Sequence, residues 1–292
     1  MLWFAGFSLW YSFIDILTQP AMHSYKNSYI VICASWFKYN RVVGPIIITT
    51  YCTSFGLTVV LLAIHFVYRF IAMSRPSEIR FFQWPLALIW PAIFSGVAIF
   101  WWCNVYFLLS INDTLNDYMR ETIALNYQDD IEELSYIGPL YFVTGPNGEM
   151  KIVWESCIGM LNVGIISGTT LIIIITLGVK IYKKMQSVKD MVAEKTRELQ
   201  RQLFYSLMVQ TIVPIIFMYN PTTILFVAPV FGIELGSMAN ITSIGLALYP
   251  ALDPLVVMFF IRDYRKYILK KVCFHKTVSP TTTAATKTDT VI

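Results

Sequence analysis

The sequence predicts an all-α fold, a transmembrane helical bundle, and three observations support that prediction. Hydrophobic residues make up 56% of the 292 positions and charged residues only 14%, too few charges for the surface of a soluble domain of this size. The apolar residues fall into six long runs, each near the ~20 residues with which a helix crosses the hydrocarbon core. Lys and Arg lie outside these runs or at their ends, because hydrocarbon excludes them.

The six runs are the predicted spans of a bundle domain that covers residues 1–262. A signal peptide is the other interpretation of the first run, which is short and carries Asp15. That run lacks a basic start, however, and shows no small-residue cleavage site before Pro20. The predicted spans are 1–20, 43–73, 84–109, 154–179, 203–230 and 237–261.

The uneven distribution of basic residues predicts the orientation of the bundle. Of the 22 Lys and Arg residues, 17 fall on one side of the six spans and 5 on the other. Cytoplasmic loops collect Lys and Arg, so the 17 mark the inner side and both chain termini are cytoplasmic. The net charge of +4 then serves contact with anionic membrane lipid and does not indicate nucleic-acid binding.

The outer segment 110–153 carries eight acidic residues against two basic ones. Within it, residues 137–142 are apolar but too short to span, and we expect them to pack over the bundle as a lid or hairpin. Asn112 begins an Asn-Asp-Thr sequon and is the candidate glycosylation site. Cys33 and Cys157 are the outer cysteines whose pairing would be tested first, while the alternative that both are small buried side chains stays open.

Two cytoplasmic segments have patterns typical of helices. Residues 180–202 are charged and helix-favouring, and we expect them to extend the neighbouring spans into the cytoplasm. Residues 263–292 form a cytoplasmic segment with two parts. In the first, bases alternate with apolar residues at helical spacing, which is typical of an interfacial helix. The second is a Thr-rich tail that we expect to be disordered. Cys273 lies beside this predicted interfacial helix and is the candidate palmitoylation site.

The polar residues inside the spans argue against several function classes. No span carries arginines at every third position, as a voltage sensor does, and no Gly/Pro-interrupted spans recur in matching halves, as in many transporters. The three histidines lack metal-ligand spacing, and no Ser-His-Asp set appears. We therefore expect neither an enzyme nor a bound cofactor or metal.

Prolines and one acid in the last two spans predict moving parts. Pro214 and Pro221 would kink the fifth span and let its inner end swing. In the last span, Asp253 lies between Pro250 and Pro254, where a charged side chain and freed backbone groups need partners inside the bundle. These five residues are the candidate conformational switch.

Aromatic and polar residues at outer or middle depth are candidate ligand contacts, although such residues are more often packing residues. Asp15 is offset from Asp253 by about 9 Å along the membrane normal, so we expect it at the floor of an outward cavity rather than paired with Asp253. The candidate contacts are Tyr51, Trp102, Asn104, Tyr106, Met160, Met218, Tyr219 and Asn220.

Several stretches together resemble the nematode seven-transmembrane chemoreceptors of the Str class, the serpentine receptors class r. The early stretch is Tyr11-Ser12-x-x-Asp15-x-x-x-Gln19-Pro20-x-x-His23, and the middle one is Tyr68-Arg69-Phe70. The later stretches are Gln202-Leu-Phe-x-x-Leu-x-x-Gln210-Thr-x-x-Pro214, Ala247-Leu-Tyr-Pro-Ala-Leu-Asp-Pro254 and Asp263-Tyr-Arg265. The resemblance covers nearly the whole chain, and the block from Gln202 onward is its most specific part.

The resemblance implies a rhodopsin-like bundle that binds a small odorant or other environmental chemical and couples to a heterotrimeric G protein. It implies the plasma membrane of a chemosensory cilium as the location. Tyr68 and Arg69 stand where related receptors carry their Asp-Arg-Tyr motif facing the G protein. The alternative role of Arg69 is that of an anchor at the helix end, whose charged group snorkels to the membrane surface. Asp253 and Pro254 take the place of the Asn-Pro pair of the last helix.

One departure from the family keeps other functions open. Family members carry a span before the one that starts here, so we expect either a transcript that lost its first exon or a six-span product. A six-span channel or transporter subunit is the alternative from another class. A truncated receptor that is retained in the endoplasmic reticulum and does not signal is the third.

Overall fold

The computed structural model describes residues 2–145, 148–187 and 193–260. The helices are α1 Leu2–Thr18, α2 Val43–Ser74, α3 Ile89–Leu108, α4 Asp113–Tyr127, α5 Trp154–Ser187, α6 Glu194–Pro214, α7 Asn220–Val227 and α8 Asn240–Phe260. The strands are β1 Pro20–Tyr25, β2 Ser28–Cys33, β3 Tyr136–Ile137, β4 Phe142–Thr144 and β5 Met150–Ile152. The predicted interfacial helix, the Thr-rich tail and Cys273 lie outside the described residues.

The fold is helical, as predicted, with a helix over each of the six apolar runs. Four helical segments are long and apolar enough to cross a membrane: Val43–Ser74, Leu86–Leu108, Trp154–Ser187 and Glu194–Phe231. Helix α1 has 17 residues, and the described apolar part of the last run is Ser237–Leu248. Membrane crossing by α1 and α8 therefore stays a prediction from the sequence.

Helix α2 is the central helix of the bundle, with α1, α3 and α5 packed around it. Most of its apolar length is buried by these neighbours, whereas few of the apolar residues of α3 are fully buried. Gly56 makes the contact with α3 possible, because a Cβ there would lie 2.5 Å from the Trp101 ring. The outward-facing apolar side chains of α3 are those that lipid would cover.

The prediction that the charged segment 180–202 extends the neighbouring helices is confirmed. Helix α5 continues to Ser187 and α6 begins at Glu194, so the charged segment extends the neighbouring spans. Glu198 near the start of α6 forms an ion pair with Arg201 at 3.3 Å. Such (i, i+3) pairs on an exposed face support the helix beyond its apolar part.

The fifth span changes its helical geometry at its proline, which is the kind of irregularity that a proline imposes. Helix α6 ends at Pro214, a π-helical turn follows over Ile215–Tyr219, and α7 begins at Asn220 with Pro221 in its first turn. A π-turn widens the backbone where regular hydrogen bonds are interrupted. In the last span, the backbone of α8 is helical through Pro250 and Pro254.

A folded lid covers the outer side of the bundle. It consists of the hairpin β1–β2, strand β3 with the residues 138–141 that follow it, and α4. The three strands form one antiparallel sheet in the order β1-β2-β3. Sheet and helix share a hydrophobic core of their own, whose fully buried members include Ile30, Leu115, Ile123 and Leu134.

The lid is larger than the sequence indicated. The prediction placed a lid or hairpin at residues 137–142 only, and it ended the first span at residue 20. In the structure α1 ends at Thr18, and Pro20 already begins β1. The sequence pattern did not predict the hairpin, because burial along it does not follow hydrophobicity. Three of its fully buried residues, His23, Ser24 and Ser28, are polar.

Cys33 and Cys157 are both free thiols in the structure, so the pairing that would be tested first is not formed. Cys33 is fully buried and its Sγ donates to the Thr18 carbonyl oxygen at 3.4 Å. Cys157 on α5 lies 3.9 Å from the Tyr141 carbonyl oxygen. The alternative interpretation, small buried or half-buried side chains, describes both cysteines.

Candidate functional site

An apolar cavity of about 60 Å³ lies in the outer half of the bundle, directly beneath the lid. Helices α2, α3, α5, α7 and α8 form its walls, and strands β1, β2 and β3 form its roof. The helical lining residues are Tyr51, Cys52, Phe55, Trp101, Val105, Leu109, Met160, Val163, Thr222, Leu225, Phe226 and Leu246. The roof residues are Met22, Tyr29, Val31, Ile137, Gly138 and Pro139.

Pairs of residues one helical turn apart line most of the cavity wall. Tyr51 and Phe55 form such a pair on α2, Trp101 and Val105 on α3, and Thr222 and Phe226 on α7. Side chains at i and i+4 lie on the same face of a helix, so each pair presents one continuous strip to the cavity.

The roof closes tightly because backbone and side chains of the lid meet the helices directly. Gly138 lies against the Tyr29 carbonyl oxygen, and a Cβ at this position would collide with it. The Tyr29 ring stacks on Phe226 with 5.4 Å between centroids, and its hydroxyl donates to the Met160 sulfur at 3.4 Å. The lid is therefore part of the cavity wall rather than a loop above it.

Hydrogen bonds fasten the lid to the outer ends of α7 and α8. The backbone amide of Met22 donates to the Asn240 side-chain oxygen at 2.7 Å, and the side-chain amide of Asn27 donates to the Pro229 carbonyl oxygen at 3.1 Å. Ser24 and Gly236 exchange a pair of backbone hydrogen bonds. Asn240, the first residue of α8, is thus an acceptor for the lid.

The polar groups at the cavity are few. The Thr222 hydroxyl, on a residue that is 5% exposed, has no hydrogen-bond partner within the described part of the chain. The Tyr51 ring stacks on Tyr11 of α1 with 5.9 Å between centroids. Asp15 lies one helical turn beyond Tyr11 on α1, and its Oδ1 is unpartnered among the described residues. Tyr51 therefore separates the cavity from a small polar cluster on α1.

Two of the predicted ligand contacts, Tyr51 and Met160, line the cavity. Met218 is fully buried in the bundle core, and Asn220 points outward from α7. Tyr219 lines a second depression on the lipid-facing surface. These last three residues lie outside the cavity lining, in the π-turn or at the start of α7.

Of the remaining three predicted contacts, two join helices and the third, Tyr106, stacks within α3. Asn104 donates to the Gly159 carbonyl oxygen at 3.0 Å and accepts from Asn162 at 2.8 Å, which links α3 to α5. The Trp102 indole donates to the Thr50 hydroxyl at 3.2 Å, and the Tyr106 ring stacks on Trp102. None of these three residues lines the cavity.

A lipid-facing groove of about 550 Å³ lies beside the cavity, between α5 and α7. Small residues of α5, Gly164, Ser167 and Gly168, leave the space, and exposed apolar residues such as Leu161 and Val227 form its rim. The groove and the cavity share five lining residues, so the two spaces are adjacent. The shared residues are Phe55, Met160, Val163, Thr222 and Phe226.

The predicted coupling residues lie at the cytoplasmic end of α2. Tyr68 is 39% exposed and its ring packs edge-on against Phe82 at 5.0 Å. Arg69 lines a crevice of about 140 Å³ between α2, α5 and α6, whose other residues include Ile181, Gln200 and Phe204. Its residues on α6 belong to the same span as the π-turn, which follows α6.

The other predicted site residues have definite places. Pro214 is buried at the junction of α6 with the π-turn, and Pro221 is half-buried in α7. Asn112 caps α4, since its side-chain oxygen accepts from the Leu115 amide at 2.8 Å, and it is exposed. The side chains of Pro250, Asp253 and Pro254 lie outside the described part of the structure. Within the described residues, no group of three or more His, Cys, Asp or Glu side chains could hold a metal ion.

These features define a multi-pass helical membrane protein with a small apolar site beneath a folded outer lid. The chain belongs to the serpentine type 7TM GPCR chemoreceptor Str family, whose model matches residues 1–269. The family is one of G-protein-coupled chemoreceptors of nematodes, as the sequence resemblance indicated.

Individual relatives support this assignment over most of the chain. Serpentine receptor class r-10 of Caenorhabditis elegans is 33% identical over 278 residues, and the protein of the same name from Caenorhabditis briggsae is 31% identical over 278 residues. Each alignment covers 94% of this chain and 81% of the relative. G-protein coupled receptor str-217 of C. elegans is 25% identical over 271 residues, which cover 91% of this chain and 77% of the relative.

Proposed function

We propose that this receptor detects a small, mostly apolar environmental chemical in the cavity beneath the lid and signals through a heterotrimeric G protein. The observation that carries the proposal is the cavity itself, enclosed by the outer halves of five helices and roofed by the lid. Concave, largely apolar sites with a few placed polar groups are typical of small-molecule binding. The family assignment supports a receptor rather than a channel or transporter subunit.

The dimensions and lining of the cavity indicate the class of ligand. An apolar cavity of roughly 150 Å³ accommodates benzene, and this one is smaller. In this conformation it holds a molecule of a few heavy atoms. The unpartnered hydroxyl of Thr222 favours a ligand with one acceptor, such as a short ketone, ester or ether, because a donor left without a partner is costly.

Ligand contact on α7 would reach the G protein through the fifth span. Thr222 and Phe226 touch the cavity, the π-turn lies just before α7, and α6 continues from Pro214 toward the cytoplasm. A ligand shifts the equilibrium between two arrangements only if it favours one of them. We propose that it favours an outward arrangement of α6 hinged at Pro214 and Pro221, which widens the crevice at Arg69.

The remaining roles follow from the same proposal. Tyr68 and Arg69 would contact the G protein, and Pro250, Asp253 and Pro254 would switch the last helix between its two states. The receptor would lie in the plasma membrane of a chemosensory cilium. Asn112 would carry a glycan, and Cys273 a palmitoyl chain that holds the juxtamembrane segment on anionic lipid.

The test is a signalling assay in cells that express the receptor with a Gα subunit, challenged with a panel of short-chain ketones, esters and alkanes. Arg69→Ala should abolish the response at unchanged surface expression, because it removes the cation at the crevice. Arg75→Ala is the matched control, since Arg75 is exposed and pairs with Glu78 at 3.0 Å. Full signalling by the Arg69 variant would refute the coupling role.

A second measurement separates the receptor from the alternatives. Purified protein in liposomes should conduct no ions and transport no solute, whereas flux without a G protein would support a channel or transporter. A fluorescent fusion in sensory neurons should label the cilium. Retention in the endoplasmic reticulum would instead support the truncated, non-signalling product.

A further inference from the structure

We propose that the ligand reaches the cavity from the lipid bilayer, through the groove between α5 and α7, and not from the water above the lid. The inference rests on the proposed function only in taking the cavity as the binding site. Three observations carry it: the closed outer face, the thin wall between cavity and groove, and unpartnered hydroxyls along the path.

The outer face of the cavity is covered by the lid, which is a folded structure with its own core. Strands β1, β2 and β3 lie across the cavity, and Val31 and Ile137 close it with buried side chains. The hydrogen bonds from Met22 to Asn240 and from Asn27 to Pro229 join the roof to the helices beneath it. Entry from water would require these contacts and part of the lid core to open together.

The wall between the cavity and the groove is thin, because single side chains line both spaces. Met160 of α5 and Phe226 of α7 line the cavity on one face and the groove on the other. Both side chains can change rotamer without movement of the backbone. Buried methionine adapts especially well to changes in shape. A rotamer change of Met160 and Phe226, which frees them from Tyr29, is the smallest movement by which we expect the two spaces to connect.

The groove is built for a small amphiphilic molecule in the outer leaflet. Gly164 lies ten residues into α5, roughly 15 Å from the start of that helix, which is well within the hydrocarbon region. A Cβ at Gly164 or Gly168 would meet no atom within 4 Å, so the groove is open at both positions. Small apolar molecules partition into lipid, and the groove therefore meets them at their highest concentration.

Two hydroxyls mark the path from groove to cavity. Tyr219 lines the groove and Thr222 lines both spaces, and the two residues are 9% and 5% exposed. Neither hydroxyl has a hydrogen-bond partner among the described residues. A ligand with one polar atom can exchange its bond from Tyr219 to Thr222 as it passes, which a wall of hydrocarbon would not permit.

The test measures exchange of a small probe with the cavity in the full-length receptor, held in lipid nanodiscs with isotope-labelled methionine methyl groups. The probes are xenon and butanone, and the reporter is Met22, which lines the cavity but not the groove. Each probe should shift the Met22 signal, and the line shape gives the exchange rate. Gly164→Phe and Gly168→Phe place a ring in the groove, and each should slow exchange by about tenfold with equilibrium affinity unchanged, since entry and exit cross the same barrier.

Two controls make the result specific. Gly96→Phe adds the same ring to the lipid-facing surface of α3, where a Cβ also meets no atom within 4 Å, and it should leave the exchange rate unchanged. Asn27→Ala loosens the lid and should also leave it unchanged. Faster exchange in the Asn27 variant would overturn lateral entry in favour of the aqueous route.

The remaining outcomes also decide the question. Unchanged exchange in both groove variants, with the Met22 shift retained, would overturn the lateral route and leave the proposed function intact. Weaker affinity at an unchanged release rate would make the glycines part of the binding site instead of an entrance. If neither probe shifts Met22 in the wild-type receptor, the cavity is not a site for small apolar molecules, and both proposals fall.

Discussion

The hydroxyl of Tyr141 donates a hydrogen bond of 3.0 Å to the carbonyl oxygen of Phe226, and this bond joins the lid to α7. Phe226 lies near the end of α7, where carbonyl groups lack partners within the helix. The same residue lines the cavity with its side chain. A single residue of the fifth span is thus in contact with both the lid and the ligand site.

Tyr141→Phe should raise basal signalling by roughly 2- to 10-fold. The loss of one hydrogen bond is worth about 0.5–1.5 kcal/mol, and here it frees the outer end of α7 from the lid. The measurement is G-protein activity without ligand, normalised to surface expression. Tyr39→Phe removes another tyrosine hydroxyl, distant from α7, and should leave basal activity unchanged; an equal rise in both variants would contradict the assignment.

Thr222→Val should weaken the response to ketones and esters by roughly 2- to 10-fold and leave the response to alkanes of similar size unchanged. The substitution keeps the shape of the side chain and removes the hydroxyl that would donate to the ligand. Concentration–response curves for matched ketone and alkane pairs provide the measurement. Thr223→Val, on the neighbouring exposed residue, is the control, and an equal loss for alkanes would show that the hydroxyl is not a ligand donor.

Gly245→Ala should destabilise the receptor by about 1–3 kcal/mol, the usual cost of an extra methyl group in a tight contact. Helix α8 approaches the π-turn so closely at Gly245 that a Cβ would collide with the Phe217 carbonyl oxygen. The measurement is the midpoint of thermal unfolding in detergent. Gly6→Ala, where a Cβ meets no atom within 4 Å, should leave the midpoint unchanged or raise it, and equal midpoints for both variants would contradict this prediction.

Lys38→Met should loosen the lid by roughly 1 kcal/mol, because Lys38 pairs with Asp129 at 2.6 Å across the outer face. Partial burial raises the pKa of the Asp129 carboxyl. The hydrogen bonds from Lys38 and Tyr39 lower this pKa by more, so it lies below its ordinary value. Hydrogen exchange of the residues around Asp129 should therefore speed up in the variant. Exchanging the two charges, Lys38→Asp with Asp129→Lys, should restore part of the protection, and no gain over Lys38→Met would contradict the pairing.

The lid should become less stable as the pH falls below about 6.5, because of His23. Burial lowers the pKa of His23, against a smaller opposing effect of the Glu234 charge, and the ring lies between Thr122 at 2.9 Å and the edge of Tyr127. The unfolded lid thus takes up a proton at a higher pH than the folded lid, so stability rises with pH through this range. Hydrogen exchange of β1 at about pH 7.5 and about pH 5.5 measures the effect.

His23→Gln is the control for this pH dependence. Glutamine keeps a polar side chain near Thr122 but does not titrate, so the difference in exchange between the two pH values should shrink. Asp129 contributes nothing over the same interval, because its carboxyl is ionised throughout and its stabilisation is lost only at lower pH. An undiminished pH effect in the His23 variant would assign it to another group.

The sequence located the long helices and the cytoplasmic extensions well, because hydropathy and helix preference are properties of consecutive residues. Helix α2 begins at Val43, where the second span was expected, and the π-turn follows Pro214 directly. The lid was largely missed. Its hairpin buries polar residues such as His23 and Ser24 against a helix that lies about a hundred residues further along the chain, and no local pattern announces such a contact.

The cavity shows the same limit at the level of single residues. Trp101 and Trp102 are adjacent and equally suited to a ligand site, yet Trp101 lines the cavity while Trp102 bonds to Thr50. The sequence contained a usable signal in the i, i+4 pairs Tyr51–Phe55 and Thr222–Phe226. That signal identifies a shared helical face, but it does not say whether the face turns toward the cavity, another helix or lipid.

The sequence by itself determined that this chain is a helical membrane protein of the Str chemoreceptor family and where its long helices run. Transfer of apolar side chains from water to lipid depends on each residue separately, so composition and order along the chain suffice for it. Only the tertiary structure decided which side chains meet at the cavity, how the lid closes it and where the wall is thin. Those features depend on the rotation of each helix about its axis, which is set by packing between residues far apart in the chain.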